Sequence, residues 1–295
     1  MPWMFRSNRA LRRLNVALFI GPWVLGVLAF TAYPLAASLY YSFTSYSLGM
    51  SPIWIGLTNW STMVNDPLFL KSLENTLYYA FGAVPLQLAV ALVVALLLNT
   101  RLYGRGFFRT IVYLPTIVPS VANAILWLAL FDPYGGLVNQ LLGYAHLPQP
   151  LWLQSPTAAM PALILMSAWG TGSTITIFLA GLQDVPKHLY EQGMIDGAGA
   201  LRLFWHVTLP MISPIVLFNA IIGIIGSMQT FTEPYIMTQG GPMNATLLYS
   251  LYLFENAFQY LNMGYASTLA WFLFMVIFLL TLLTLWVSRR FVYYR

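Results

Sequence analysis

Apolar residues in this chain come in runs too long for an ordinary core helix, separated by short polar interruptions. Six stretches reach the roughly 20 mostly apolar residues that a helix needs to cross a bilayer. They are 15–41, 76–99, 110–131, 159–182, 209–230 and 266–288. The first follows Arg13, after which no Asp, Glu, Lys or Arg occurs until Asp66; the second lies between Glu74 and Arg101. The third fills the gap from Arg109 to Asp132, and the fourth ends before Asp184. The fifth opens at "LPMISP" and the sixth stops at Arg289 and Arg290. The pattern predicts an all-α integral membrane protein, one membrane domain of six transmembrane helices with both termini on the same side.

Composition agrees with lipid as the solvent: 59% of residues are hydrophobic and 7% charged, against about 45–50% and about 25% in soluble domains. The charges also orient the chain, because Lys and Arg accumulate in cytoplasmic segments. Segments 1–14, 100–109, 183–208 and 289–295 hold 12 of the 13 basic residues, and Lys71 is the exception. The N-terminus 1–14, the loop 183–208 and the tail 289–295 are therefore expected in the cytoplasm. The net charge of +5 is a topology signal, and no nucleic-acid partner is expected. Arginines before an apolar run, with "PLAAS" at 34–38, also resemble a signal peptide. The run is longer than the 7–15 residues of a typical signal core, so an uncleaved anchor fits better.

Several chemistries lack their residues. With no cysteine there is no thiol, disulfide or iron–sulfur site. His146, His188 and His206 are scattered without metal-ligand spacing. The eight acids, Asp66, Glu74, Asp132, Asp184, Glu191, Asp196, Glu233 and Glu255, fall in loops or near span ends. An ion-coupled carrier more often places a carboxylate near the midplane. The phosphate-binding pattern G-x-x-x-x-G-K-[ST] is missing, so no nucleotide site is expected on this chain. Catalytic and metal residues are expected to be absent.

The spans are rich instead in proline, glycine and neutral polar side chains. Pro115 and Pro119 interrupt the third; "SAWGTGSTIT" (167–176) lies in the fourth and "GSMQTF" (226–231) ends the fifth. Small residues of this kind allow close helix packing in membranes. They also suit a path for a polar uncharged solute, with Trp169, Ser173, Ser227, Gln229 and Thr230 as its lining. A sugar, with hydroxyls and apolar ring faces, fits such a lining.

The loop between the fourth and fifth spans, "LQDVPKHLYEQGMIDGAGALRLFWHVTLP", interrupts this apolar chain with charge and glycine. Pro186 suits the first turn of a helix that runs to about Ile195. Gly197 and Gly199 permit a sharp bend. A second short helix, 200–207, carries Leu201, Arg202, Phe204 and Trp205, and Thr208 and Pro210 mark the start of the fifth span. The expected object is a two-helix knob at the membrane face. On composition alone the favoured reading is a partly buried re-entry loop lying along the headgroups.

This stretch resembles the cytoplasmic "EAA" loop of binding-protein-dependent ABC importer permeases, which reads roughly E-A-A-x-x-x-G and closes on I-x-L-P. Glu191, Gly197, Val207, Leu209 and Pro210 occupy the matching places, and "IDGAGA" is similar to the usual "IDGAS"; Gln192 and Gly193 replace the two alanines. "FFRTIVYLPTIVPSVANAILWLALFDPYGGLVN" (107–139) and "FTEPYIMTQGGPMNAT" (231–246) resemble segments of the carbohydrate-uptake permeases, the maltose, glycerol-3-phosphate and multiple-sugar kinds. The resemblance implies that the knob is a coupling helix set into a cleft of a separate ATPase subunit. Tyr190, Glu191, Ile195, Asp196, Gly197, Ala198, Arg202, Phe204, Leu209 and Pro210 would make that contact. It further implies a homologous second permease subunit, two ABC ATPase subunits that hold ATP and magnesium, and an extracytoplasmic solute-binding protein. That protein would meet the outer loops 44–70, 132–158 and 231–264. An ATP-independent carrier or channel for a small polar solute remains the alternative reading; it would need no coupling helix.

Overall fold

The computed structural model describes residues 9–100, 103–290 and 292. Of the expected cytoplasmic segments, residues 1–8, 101–102 and, in the tail, 291 and 293–295 lie outside the described residues. The chain forms two compact units, 1–65 with 256–271 and 66–255 with 272–295.

The first unit holds α1 (Arg9–Val27), a π-helical turn at Leu28–Ala32, and α2 (Tyr33–Tyr41). A two-stranded antiparallel ribbon follows, β1 (Thr44–Ser45) on β2 (Ile53–Trp54), with Thr44 opposite Trp54, and then α3 (Thr58–Val64). Buried polar groups knit it together: Asn59 Nδ2 donates to Ser42 O at 3.1 Å and Thr44 O at 2.9 Å. Thr268 Oγ1 donates to the same Ser42 carbonyl at 3.0 Å. None of the apolar 15–41 run is buried, and Phe19 and Phe30 are about as exposed as side chains can be. Only lipid or another chain can cover such a face.

The second unit is a helix bundle around α4 (Pro67–Asn99). Asp66 caps it, accepting from the Leu68 N–H at 2.9 Å, and Pro67 fills a first-turn place where a missing N–H costs nothing. Ala83, Ala91 and Ala95 of α4 are fully buried, small enough for neighbouring helices to approach closely. Those neighbours are α8 (Ala159–Ser167), α9 (Gly172–Gln183) and α12 (Leu209–Met228). A Cβ on Gly172 would lie 2.8 Å from the Val112 carbonyl oxygen, which shows how tightly α9 meets α5 (Arg105–Ile117).

Among the described residues, four helical runs are long and apolar enough to cross a membrane: Asn15–Tyr41, Pro67–Asn99, Ala200–Met237 and Met263–Ser288. Two bent pairs bring the candidates to as many as six. In one, α5 is followed by α6 (Ser120–Leu130) with a bend of 101°; in the other, α8 is followed by α9 with a bend of 44°. The predicted stretch 110–131 is thus not one straight helix. It breaks at Val118 and Pro119, where proline removes a helix N–H and forces the preceding residue out of helical geometry. The stretch 159–182 breaks at 168–171, within the glycine-bearing "AWGT".

One further departure is physical in origin. The sequence suggests a separate short helix over 200–207. After the turn that ends α10 (Lys187–Ile195), the chain instead runs from α11 (Ala200–Leu203) through a π-helical turn at Phe204–Thr208 directly into α12, and past a short break at 229–231 into α13 (Thr232–Met237). Together Ala200–Met237 make one candidate span of 38 residues. Pro210 follows the π-turn by two residues, as Pro34 follows the π-turn at Leu28–Ala32. The wider turn shifts the bonding, so that the Leu209 N–H reaches Phe204 O and the Tyr33 N–H reaches Leu28 O. Each proline is absorbed without stopping its helix.

Candidate functional site

The loop after α9 folds back on itself through a complete C-terminal cap. Gly197 takes a left-handed φ of +76°. The Ala198 N–H donates to Gly193 O at 2.8 Å and the Gly197 N–H to Met194 O at 3.1 Å. These are the two bonds of a Schellman motif, which satisfies the last carbonyls of α10 and fixes the reversal angle. The knob is rooted in the bundle: Tyr190 and Val207 pack on the core formed by Leu98, Leu182, Val185 and Ile212. The Tyr190 and Thr208 hydroxyls are hydrogen bonded at 3.0 Å.

Its outer surface is the reverse. Glu191, Asp196 and Arg202 are exposed, and so are Met194, Ile195, Leu201 and Trp205, Ile195 at 85%. Ala198, Phe204, Leu209 and Pro210 are half-buried, with the Phe204 ring edge-on to Trp205 at 5.3 Å. A rigid, capped element bearing exposed apolar side chains ringed by charge has the make-up of a docking surface.

At the far end of the same helical run lies a cavity of about 320 Å³. Its walls come from α4 (Tyr79, Gln87), α6 (Asn123), α8 (Ser167), α9 (Thr174) and the run Ala200–Met237 (Asn219, Ser227, Thr230, Glu233). Asn219 Nδ2 donates to Ile215 O at 2.9 Å. Asn123 Oδ1 is buried and has no hydrogen-bond partner in the chain. A buried acceptor left without a partner is uncommon, and here it belongs to a residue of the cavity wall.

The expected path residues divide. Ser227 and Thr230 line the cavity, whereas Trp169, Ser173 and Gln229 lie outside its lining. Trp169 sits edge-on to Trp127 with ring centroids 6.1 Å apart. Reading by sequence missed Tyr79, Gln87, Asn123, Asn219 and Glu233. The available signal was a lone amide in an otherwise apolar run, "LQLAVALVV" for Gln87 and "LFNAIIGII" for Asn219, since polar groups in a span are expensive unless used. The lining is also less neutral than expected, because it includes the Glu233 carboxyl group.

Residues 87–293 match the model of the family described as the binding-protein-dependent transport system inner membrane component. The chain belongs to that family. It is 43% identical, over 98% of its own length and 96% of the relative's, to a probable ABC transporter permease protein, YesP, of Bacillus subtilis (strain 168). It is 33% identical to the lactose transport system permease protein LacF of Rhizobium radiobacter, covering 96% and 98% of the two chains. It is equally 33% identical to the arabinooligosaccharides transport system permease protein AraP of Bacillus subtilis (strain 168), covering 93% and 88%. In fold it matches a chain of a bacterial alginate ABC transporter, solved with an alginate pentasaccharide-bound periplasmic protein, at a TM-score of 0.82. That match has 23% identity and covers 97% of this chain and 98% of the other.

The protein is therefore a multi-pass membrane permease component of ABC importers, and its relatives are named as transport subunits rather than enzymes. Within this permease, the matched family segment contains both the capped knob and most of the cavity lining.

Proposed function

We propose that this permease moves a sugar or oligosaccharide into the cytoplasm by alternating access, powered by ATP hydrolysis on separate subunits. The observation that carries the reading is the unbroken helix 200–228, which has the knob at one end and Ser227 of the cavity at the other, with Thr230 and Glu233 just past its end. At about 1.5 Å per residue, Leu203 and Ser227 are roughly 36 Å apart along one rod. A force applied to the knob is delivered at the cavity, where a flexible loop would dissipate it.

In this reading the two bent pairs each count as one crossing, giving six spans with 1–14, 183–208 and 289–295 in the cytoplasm. The knob is the coupling helix. Glu191 meets a basic group of the ATPase cleft, and Ile195, Leu201 and Phe204 fill its socket. Tyr190, Asp196, Gly197, Ala198, Arg202, Leu209 and Pro210 shape the contact. ATP and magnesium stay on a pair of ABC ATPases, and a second, homologous permease subunit closes the pathway. A solute-binding protein delivers the sugar to the outer loops. Support for that last contact comes from residues 239–244, where Gln239, Met243 and Asn244 hold φ values of +49°, +51° and +58°. Such strain persists where a shape is needed. Asn75 Nδ2 pins the loop, donating to Asn244 O at 2.8 Å and Leu247 O at 3.1 Å, while Met243 stays fully exposed. The sugar class is supported by the hydroxyl- and amide-rich cavity and by relatives named for lactose and arabinooligosaccharides.

Because the natural chain has no cysteine, Ile195→Cys is a unique handle. In the assembled transporter it should cross-link to the ATPase subunit through a short bifunctional reagent, with a yield that changes on adding ATP. Labelling of Ile195→Cys from outside intact cells, or cross-linking to no ATPase, would overturn the coupling assignment.

A further inference from the structure

A second concavity, about 470 Å³, lies between α5 and α9 on the side of the bundle where Leu98 ends α4. Its floor is Ile175 and Leu179, and Val112 and Ile117 form a wall. Its two threonine hydroxyls are engaged within their own helices: Thr110 Oγ1 donates to Gly106 O and Thr176 Oγ1 to Gly172 O, both at 3.0 Å. The rest of the lining is mostly hydrocarbon, with the Tyr113 phenol and one charged group, the guanidinium of Arg109. Among the described residues, the one ion pair is Lys71 with Glu74, so Arg109 has no carboxylate partner. α5 itself is amphipathic: Arg105 and Arg109 are one helical turn apart, while Phe107, Phe108 and Ile111 are exposed. That mixture belongs at the boundary between headgroups and acyl chains.

We infer that this trough holds an anionic phospholipid, its phosphate on Arg109 and one acyl chain along Ile175 and Leu179. The charge decides the occupant. An apolar groove ending in an unpaired arginine needs a ligand that is greasy along its length and anionic at one end, and a phospholipid supplies both. A helix of the second permease subunit would have to carry its own carboxylate to Arg109, and that occupant is an outcome of the test. The site is separate from the cavity and the knob, so it stands whether or not the coupling assignment holds.

The test uses the transporter purified with its natural partner subunits, reconstituted with phosphatidylglycerol or phosphatidylcholine and analysed by native mass spectrometry. Wild type should retain phosphatidylglycerol selectively. Arg109→Gln should retain about fivefold less, as expected for loss of one basic contact near the headgroups. Thr176→Trp, a change at the exposed rim that spares the bundle core, should evict the lipid while Arg109 remains. Both variants are scored on complexes that elute fully assembled. Equal retention of the two lipids, unchanged retention in both variants, or cross-linking of Thr176→Cys to the second permease subunit would overturn the inference.

Discussion

A side chain on Gly193 would place its Cβ 2.6 Å from Leu203 Cδ2. By its resemblance to the EAA loop this position is expected to be alanine, and here the end of the Leu203 side chain occupies the space beside it. In this knob Leu203 leans over α10, and the space an alanine methyl would occupy is already filled. Gly193→Ala should gain about 1 kcal/mol of helix propensity yet push the end of the Leu203 side chain aside, and Leu203 sits half-buried at the knob surface, where its rotamer bears on docking. We expect Gly193→Ala to lower sugar uptake by the assembled transporter and Leu203→Ala combined with it to recover part of the loss. A double-mutant cycle measures this, and strictly additive losses would refute the packing account.

Gly197 makes a different demand. Its φ of +76° costs an L-residue roughly 1–2 kcal/mol, with Asn the best tolerated substitute. Nothing lies within 4 Å of a Cβ built there, so the penalty is conformational and not steric. Uptake should fall in the order Gly197, Gly197→Asn, Gly197→Ala, Gly197→Val, while the amount of protein in the membrane stays level. An Ala variant as active as wild type would mean the reversal is not needed.

Much of this was legible in the chain because lipid imposes simple rules. The four long helices follow from apolar run length, and the knob's first helix and turn follow from Pro186 and Gly197. The breaks at 118–119 and 168–171 were visible as proline and glycine, but the angle of a bend depends on the neighbours that pack into it. The π-turn before Pro210 was hidden for a related reason. Proline in a helix usually signals a stop, and only the surrounding bonds reveal that a wider turn has absorbed it. The cavity was least legible. Tyr79, Asn123 and Glu233 are far apart in sequence and meet only because α4, α6 and the long helical run converge, which no local pattern encodes.

Ile195 offers a clean measurement of the docking surface. At 85% exposure it contributes little to the fold, so Ile195→Ser should leave thermal stability unchanged. If the side chain enters an ATPase socket, its burial there is worth about 1.5–3 kcal/mol, or roughly a tenfold to hundredfold weaker association with the ATPase subunit. Unaltered affinity in a titration of purified ATPase would place Ile195 outside the contact.

Asn123 should separate stability from transport. Its buried Oδ1 has no partner in the chain, and such a group costs about 1–3 kcal/mol. Replacing it by the similarly sized Asn123→Leu removes that penalty, so the purified complex should unfold at an equal or higher temperature. If a solute hydroxyl reaches this acceptor as it crosses, the same change removes that bond. Uptake should therefore drop while ATPase activity of the assembled transporter persists, with Asn123→Gln giving partial recovery. A variant that is both less stable and fully active would reverse both signs and remove Asn123 from the pathway.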